Sequence, residues 1–337
     1  MVKPLVWIWM AWATIALTAC TGCAQLPIAS RWAAVSRLNL ATPTPTLGGT
    51  QLWNDEHFFH EWRIQRHYTT GECRLLDGKA WQYASGTYDE CLARLQEIRR
   101  ERDLPPMQGR AVVLMHGLGA PRWSMHLLGE HLRKNAGYSI FHVEYASTRR
   151  SIDEHAESLA RVMESLEGIE QIHLVGHSMG NVIIRRYLAG PCDGSERWQP
   201  DPRIGRIVMI APPNHGALAA ERLADVGLFK TLFGKPGQEL GPEWDDLETR
   251  LATPHEEFGI IAGGMGLAGG FSPMQPGDDD GRITVATTRL AGATDFIRVP
   301  AIHELIANDP RVFRYTLQFL EAGYFVSPDQ RAPIVEP

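Results

Sequence analysis

The first part of the folded chain shows the pattern of a β-hairpin followed by a helix. Trp62–Arg66 alternates between apolar and polar side chains, as a half-buried strand does, and Thr70-Gly71 is a turn signal. Cys73–Leu76 is the predicted second strand of this hairpin. Between Tyr88 and Arg102 the apolar positions recur at helical spacing and stop before Pro105-Pro106, which predicts a helix.

From residue 110 onward the pattern changes to an alternation of short apolar runs with amphipathic stretches. A continuous apolar run is typical of a parallel strand that is covered on both faces. Repeated β-α alternation predicts an α/β fold, a mainly parallel sheet with helices on both faces. The predicted strands are 111–115, 139–145, 171–175, 204–210, 258–262 and 296–299. The predicted helices are 124–135, 152–166 and 179–188. A last helix is predicted to begin at Asp309-Pro310 and to end near residue 321.

The N-terminal segment has the pattern of a secretory signal peptide. One basic residue, Lys3, precedes an apolar run from Pro4 to Ala19 that carries no charge. This run is too short to span a bilayer comfortably and has the length of a signal-peptide core. The chain up to residue 50 is then rich in Ala, Thr, Pro and Ser, which is typical of an extended tether. The sequence therefore predicts a signal peptide over 1–19, a tether over 20–50, a folded region over 51–325 and a C-terminal tail over 326–337.

The end of the apolar run, Leu17-Thr18-Ala19-Cys20, resembles the lipobox of bacterial lipoproteins. The resemblance implies that diacylglycerol is attached to the Cys20 sulfur and that the chain is cleaved before this residue. The protein would then lie in the cell envelope, anchored to a membrane on the periplasmic side or in the outer membrane. The alternatives are export with cleavage near Ala24, giving a periplasmic or secreted protein, and an uncleaved anchor.

Composition and charge narrow the class of protein. Apolar residues make up 44% and charged residues 21% of the chain, close to globular averages, which excludes wholesale disorder and rod-like folds. The 33 Lys+Arg against 39 Asp+Glu give a net charge of −6, so we do not expect a nucleic-acid partner. Cys20 and Cys23 form the one C-x-x-C pair, inside the processing region, which argues against a zinc or thioredoxin site. Cys73 and Cys91 either form a disulfide or are small buried apolar residues.

The strongest chemical signal is the pentapeptide Gly176–Gly180, a G-x-S-x-G between a predicted strand and a predicted helix. A serine at such a sharp strand-to-helix turn takes a strained backbone conformation, and the glycines let strand and helix pass closely. The turn exposes the hydroxyl of Ser178 at the carboxyl end of the sheet, where ligands bind in open α/β folds. Ser178 is therefore the candidate nucleophile.

A second motif, His116-Gly117-Leu118-Gly119, follows directly on the first predicted parallel strand. With the serine pentapeptide it resembles the α/β-hydrolase superfamily, and more narrowly bacterial lipases and esterases, over about residues 53–323. The resemblance implies an α/β-hydrolase fold with a cap or lid insertion over 217–257. It also implies that the backbone N–H groups of Leu118 and Met179 form an oxyanion hole, in which two fixed donors stabilise the negative charge of a tetrahedral intermediate. His116 is then expected to shape the loop rather than act as a base.

A serine nucleophile needs a base, and in this superfamily the chain order is Ser, then Asp or Glu, then His. Three histidines follow Ser178. His255 precedes a strand and so lies at the wrong end of the sheet, and no acidic residue in a suitable loop separates His215 from the serine. His303 follows the last predicted strand and reaches the carboxyl edge, so it is the candidate base.

Three adjacent carboxylates, Asp278, Asp279 and Asp280, follow the strand 258–262 and are the candidate acids. Asp295 immediately precedes the last strand and should point from the opposite edge. Asp280-Gly281-Arg282-Ile283 resembles the Asp-Gly-x-hydrophobic pattern that carries the acid in related lipases, which favours Asp280 while its two neighbours stay open. A calcium loop is the alternative, but the spacing lacks the alternation of an EF-hand, and we expect no metal and no cofactor.

The segment 217–257 holds apolar residues in the place of a cap, and these either receive an acyl chain or pack the cap onto the sheet. They are Leu228, Phe229, Leu232, Phe233, Leu240, Trp244 and Leu247. The function predicted by the resemblance is hydrolysis of carboxylic esters, lipid-like ones above all, through an acyl-enzyme. An acyltransferase with the same residues and a non-catalytic envelope lipoprotein are the alternatives. The expected partners are a small-molecule or lipid ester and a membrane, and the oligomeric state stays open.

Overall fold

The computed structural model describes residues 43–46, 51–191, 197–217, 227–267, 269–273 and 275–336; of 45 and 227–232 it describes the backbone alone. The predicted signal peptide, Cys20 and most of the predicted tether lie outside these residues. All described residues belong to one unit, Asn39–Pro337. Within the described ranges no helix is long and apolar enough to cross a membrane.

Five antiparallel strands at the start of the described chain form a sheet in the order β1-β5-β4-β3-β2. They are β1 (Thr44–Pro45), β2 (Trp53–Phe59), β3 (Trp62–His67), β4 (Cys73–Leu76) and β5 (Trp81–Gly86). Helix α1 (Tyr88–Glu101) follows, and its first turn is closed by a capping box in which Thr87 and Glu90 each bind the other's backbone N–H. The predicted hairpin and helix are present, whereas β2 and β5 were not predicted.

Six parallel strands form the main sheet in the order β11-β10-β9-β8-β6-β7. They are β6 (Arg110–Met115), β7 (Ser139–Val143), β8 (Gln171–His177), β9 (Ile204–Ile210), β10 (Phe258–Gly263) and β11 (Asp295–Val299). All six predicted strands are present, which confirms the predicted α/β fold class. The edge strand β7 ends two residues earlier than predicted, because Glu144 and Ala146 after it donate their N–H groups to side chains of β2 in the five-stranded sheet, which is called the N-terminal sheet below.

Helices cover both faces of this sheet. They are α2 (His126–Ala136), α3 (Ile152–Ser165), α4 (Met179–Leu188), α5 (Gly227–Glu239), α6 (Trp244–Glu248), α7 (Val285–Thr288) and α8 (Pro310–Ala322). Successive residues of β6 point to opposite faces. Val113 and Met115 enter the core with α1, α3 and α4, whereas Val112 and Leu114 enter the core with α2 and α8.

The predicted cap segment contains α5 and α6. Leu240, Trp244 and Leu247 are buried in the core that contains α3 and α4, and Phe233 packs against it. These four side chains therefore hold the segment onto the sheet, as one of the two interpretations proposed. The side chains of Leu228, Phe229 and Leu232 lie outside the description.

Two further predicted features concern the cysteines and the tail. Cys73 on β4 and Cys91 on α1 are buried free thiols, and burial raises the pKa of Cys73 to about 11 and that of Cys91 to about 12. They therefore behave as small apolar core residues in this structure. Ile334 in the C-terminal tail is also buried, and its N–H donates to Ala293 O.

Candidate active site

Ser178 lies at a sharp turn between β8 and α4, with φ 53° and ψ −124°. This left-handed conformation is strained for a residue with a side chain and is typical of a nucleophile at such a turn. A Cβ atom on Gly176 would overlap the side chain of Asn181, and one on Gly180 would overlap the carbonyl oxygen of Met115. Both glycines of the pentapeptide are therefore required by the close passage of α4 over β6 and β8.

The structure brings Ser178, His303 and Asp280 together from three separate loops. His303 Nε2 lies 2.9 Å from Ser178 Oγ, and His303 Nδ1 lies 2.7 Å from Asp280 Oδ2. Because a carboxylate only accepts hydrogen bonds, Nδ1 carries the proton and Nε2 presents a lone pair to the serine hydroxyl. The arrangement can therefore take a proton from Ser178 and stabilise the imidazolium that results.

The backbone fixes the Asp280 carboxylate in this orientation. Asp280 Oδ1 accepts the N–H groups of Arg282 at 3.0 Å and Ile283 at 2.8 Å, which leaves Oδ2 for the imidazole. The N–H of His303 in turn donates to the carbonyl oxygen of Asp280 at 2.9 Å. Asp280 and His303 are both buried, so water competes little for these bonds.

The other carboxylates considered from the sequence have different partners. Asp278 accepts the N–H groups of Met265 and Gly266, and Asp279 accepts those of Ser272 and Gly281. Both side chains therefore hold the loop after β10. No group of three metal-ligating side chains occurs in the described part of the chain.

Asp295 and His215 have partners other than Ser178 and His303. Asp295 is buried at the amino end of β11, where it accepts the N–H groups of Phe325 and Ala332 and so binds the C-terminal segment. His215 contacts Glu248 on α6 at 3.1 Å and is partly exposed. The structure therefore brings neither side chain to the serine.

The loop after β6 lies against Ser178. Ala120 N–H donates to Gly117 O, which closes a four-residue turn, and Gly119 takes the positive φ of 72° that the third position of a type II turn requires. In the described residues no acceptor takes the N–H of Leu118. The N–H of Met179 is the first of α4, and such an N–H has no partner within its own helix. Neither predicted oxyanion donor therefore has a hydrogen-bond partner in the described part of the chain.

His116 faces the backbone of its own loop rather than the serine. Its Nδ1 lies 2.8 Å from Gly117 O, and its ring stacks on Tyr145 with a centroid distance of 4.1 Å. Burial lowers the pKa of His116 to about 4, so the ring is neutral near pH 7.

One residue next to the serine was missed by the sequence analysis. His177 is buried, and its Nε2 donates to the carbonyl oxygen of His303 at 3.0 Å. Burial lowers the pKa of His177 to about 3, so it keeps this role as a neutral ring. Its position inside the pentapeptide was a usable signal, but its partner lies 126 residues away.

Comparisons with known proteins place the chain in a family. A sequence model of the alpha/beta hydrolase family matches residues 112–332. No curated protein sequence matches the chain. Among solved structures, the mature lipase BlEst2 of Bacillus licheniformis is 19% identical, with a TM-score of 0.44 over 58% of this chain and 86% of the lipase. The phospholipase PlaB of Legionella pneumophila is 15% identical, with a TM-score of 0.47 over 64% of this chain and 60% of the phospholipase. Because the family model covers more than half of the residues, this chain belongs to the alpha/beta hydrolase family.

Proposed function

We propose that this hydrolase cleaves carboxylic esters with Ser178 as nucleophile, His303 as general base and Asp280 as the acid that orients the base. The observation that carries the proposal is the position of His303, whose two ring nitrogens lie 2.9 Å from Ser178 Oγ and 2.7 Å from Asp280 Oδ2. A hydroxyl, an imidazole and a carboxylate in this order form the machinery of acyl transfer through a serine ester.

The reaction proceeds in two halves. Ser178 Oγ attacks the carbonyl carbon of the ester while its proton passes to His303 Nε2. The tetrahedral intermediate then expels the alcohol, which takes that proton from His303, and the acyl group stays on Ser178. A water molecule gives a proton to His303 and attacks the acyl-enzyme, so that the carboxylic acid leaves and the Ser178 hydroxyl is restored. Asp280 remains a carboxylate and supports the positive charge of the imidazolium throughout.

The oxyanion of each tetrahedral intermediate binds the N–H groups of Leu118 and Met179. The Met179 N–H lies at the amino end of α4, where the helix dipole also favours negative charge. Donors that are fixed before the reaction stabilise the transition state without reorganisation, and losing one such donor commonly costs about 3 kcal/mol.

An apolar acyl group is the substrate feature that the surroundings favour. Trp123 and Leu127 follow the loop after β6, which is called the oxyanion loop below because it contains Leu118. Leu305 comes two residues after His303, and all three side chains are more than half exposed. The 3₁₀ helices Arg122–Met125 and Ile306–Asn308 contact each other, so these exposed apolar side chains lie on or beside neighbouring segments of the chain. Lipid-like esters are therefore the proposed substrates.

A labelling experiment followed by an ester series tests this function. We expect a fluorophosphonate to label the wild-type protein at Ser178 and p-nitrophenyl esters to be hydrolysed with a preference for longer acyl chains. Ser178→Ala should abolish labelling and hydrolysis while the circular dichroism spectrum is kept, because the three residues act as a unit. Labelling of the folded variant at another serine would contradict the assignment. A competing alcohol distinguishes hydrolysis from acyl transfer by the product formed.

We also propose that Cys20 carries a lipid anchor that keeps the enzyme at a membrane of the cell envelope. The proposal rests on the apolar run 4–19 and on Leu17-Thr18-Ala19-Cys20, which lie outside the described residues.

A further inference from the structure

Ser147 lies between the N-terminal sheet and the oxyanion loop. It belongs to the segment 144–148, which follows the edge strand β7. Its side chain is fully buried, and its Oγ accepts the N–H of Gly119 at 3.0 Å. The same hydroxyl donates to Gln51 Oε1 at 3.2 Å. Ser147 thus connects the start of the folded chain with a loop that lines the site.

The bond from Gly119 to Ser147 controls one peptide plane of the oxyanion loop. In the turn 117–120, the peptide between Leu118 and Gly119 is the central one, and it is the plane that rotates when a type II turn changes to type I. The positive φ of Gly119 requires the present orientation, and the hydroxyl of Ser147 holds the N–H of that plane. The backbone of Leu118, one of the two proposed oxyanion donors, is therefore restrained from its carboxyl side.

Gln51 fixes the direction of the Ser147 hydroxyl. Its Oε1 accepts three hydrogen bonds, from Ser147 Oγ, from Thr148 N at 3.0 Å and from Thr148 Oγ1 at 3.0 Å. Since the proton of Ser147 points to Gln51, the lone pairs of Ser147 are left for Gly119. An acceptor at position 51 is therefore required for the arrangement, whereas the amide nitrogen of Gln51 takes no part in these three bonds.

The neighbouring residues of the N-terminal sheet hold the same segment. Asn54 Oδ1 accepts Ala146 N–H at 2.8 Å, and Asp55 Oδ2 accepts Glu144 N–H at 2.7 Å. Tyr145, from the same segment, donates its hydroxyl proton to His116 O at the start of the oxyanion loop. Both ends of the loop therefore depend on a segment that the N-terminal sheet fixes from outside.

We propose that Ser147 and Gln51 are positioning residues that hold the oxyanion loop in its reactive conformation, so that the N-terminal sheet is part of the active-site scaffold. The inference rests on the proposed function. Gln51 and the whole N-terminal sheet lie outside the region 112–332 that the family model matches.

Variants at both positions test the proposal. Ser147→Ala removes the acceptor of the Gly119 N–H, and Gln51→Met removes the acceptor of the Ser147 proton at similar size. We expect each to lower kcat for a p-nitrophenyl ester about tenfold with KM changed less than twofold, because the oxyanion exists in the transition state and not in the bound ester. Affinity for an alkyl trifluoromethyl ketone, which forms an oxyanion on the nucleophilic serine, should fall by the same factor.

Two control variants separate positioning from general damage. Gln51→Glu keeps the acceptor oxygen and should retain kcat within about twofold. Ser124→Ala changes a buried hydroxyl that has no hydrogen-bond partner in the described residues, on the 3₁₀ helix that follows the loop, and should leave kcat unchanged. Equal losses in Gln51→Met and Gln51→Glu would overturn the role of the acceptor, and wild-type kcat in folded Ser147→Ala would overturn the proposal as a whole.

Hydrogen exchange gives a readout that does not depend on activity. Peptides that contain residues 117–120 should exchange faster in Ser147→Ala and Gln51→Met than in the wild-type protein and Ser124→Ala. Unchanged exchange in both variants overturns the positioning role, even if kcat falls. Where the wild-type protein neither hydrolyses esters nor reacts with a fluorophosphonate, the proposed function fails, and the exchange rates still decide whether Ser147 and Gln51 hold the loop. If Ser147→Ala does not fold, Gln51→Met provides the same test, because it changes the partly exposed partner of the hydrogen bond between Ser147 and Gln51.

Discussion

At the scale of single residues, three adjacent carboxylates have two different roles. Asp280 faces His303, whereas Asp278 and Asp279 bind backbone N–H groups of the loop after β10. We expect Asp280→Asn to lower kcat on the order of 10⁴-fold, because an amide cannot fix the tautomer that leaves Nε2 free to accept the serine proton. Steady-state kinetics at pH 8 would measure the loss.

Asp278→Asn is the matched control for that change. Its one remaining side-chain oxygen can still accept one of the two backbone N–H groups, from Met265 or Gly266, and the side chain has no bond to the imidazole, so kcat should fall less than about tenfold. If Asp278→Asn or Asp279→Asn proves the more damaging substitution, Asp280 is not the acid. The sequence favoured Asp280 and left its two neighbours open, since the partners of the three side chains appear only in the folded structure.

At the scale of elements, the nucleophile depends on the close approach of α4 to β6. The Cα of Gly180 lies against the backbone of Met115 and His116, and a Cβ there would overlap their carbonyl oxygens. Backbone cannot move aside as a flexible side chain can, so Gly180→Ala should lower the free energy of unfolding by about 1–3 kcal/mol. Activity should fall as well, because the same shift displaces Ser178 and Met179.

Thermal denaturation compared with a harmless glycine substitution checks this prediction. Gly269 lies in the loop after β10, is not among the described glycines with a positive φ, and a Cβ there would meet no described atom within 4 Å. Gly269→Ala should therefore keep both the midpoint temperature and kcat. Equal stability of the two variants would mean that the α4–β6 contact is looser than the structure shows.

The parallel sheet could be predicted from the sequence because its strands are short, mainly apolar segments that alternate with helices. β2 could not, since it buries Asn54, Asp55 and Glu56, each of which has a partner far along the chain, in the segment 144–148 or in α3. The same difference between local and distant signals applies to the candidate active site. Ser178 has a local motif, whereas Ser147 and His177 are recognised only through partners far away in the chain.

At the scale of the whole molecule, burial of histidines makes stability depend on pH. Burial lowers the pKa of six histidines to about 3 or 4, and these are His57, His116, His142, His155, His173 and His177. Below pH 6.5 the unfolded chain binds protons on these side chains and the folded chain does not, so stability falls as the pH falls. Glu144 and Glu239 act in the opposite direction, because burial raises their pKa to about 8 and about 7.

Since the histidines outnumber these two glutamates, we expect the midpoint temperature to fall steeply between pH 6.5 and pH 4.5. His155→Phe tests the cause, because neither ring nitrogen of His155 has a hydrogen-bond partner in the described residues and its ring packs edge-on against Tyr145. Removing one titrating group should reduce the slope of the unfolding free energy by about 1.4 kcal/mol per pH unit in this window. An unchanged slope would mean that His155 is already protonated in the folded protein.

The location of the molecule is the last prediction, and a substitution of Cys20 tests it. Each buried CH₂ of an acyl chain contributes about 0.8 kcal/mol, so a diacylated Cys20 should hold the enzyme in the membrane fraction and carry it into detergent. Cys20→Ser removes the thiol that receives the lipid, and it should leave either an unprocessed precursor or a soluble protein cut near Ala24. Activity per molecule on a soluble p-nitrophenyl ester should stay the same in a soluble, processed product, because Ser178, His303 and Asp280 lie within the folded unit. Fractionation of cells measures the location of the protein, and N-terminal sequencing measures where the chain is cut. A wild-type protein found in a soluble fraction with Gln25 at its N-terminus would disprove the anchor and leave the proposed chemistry intact.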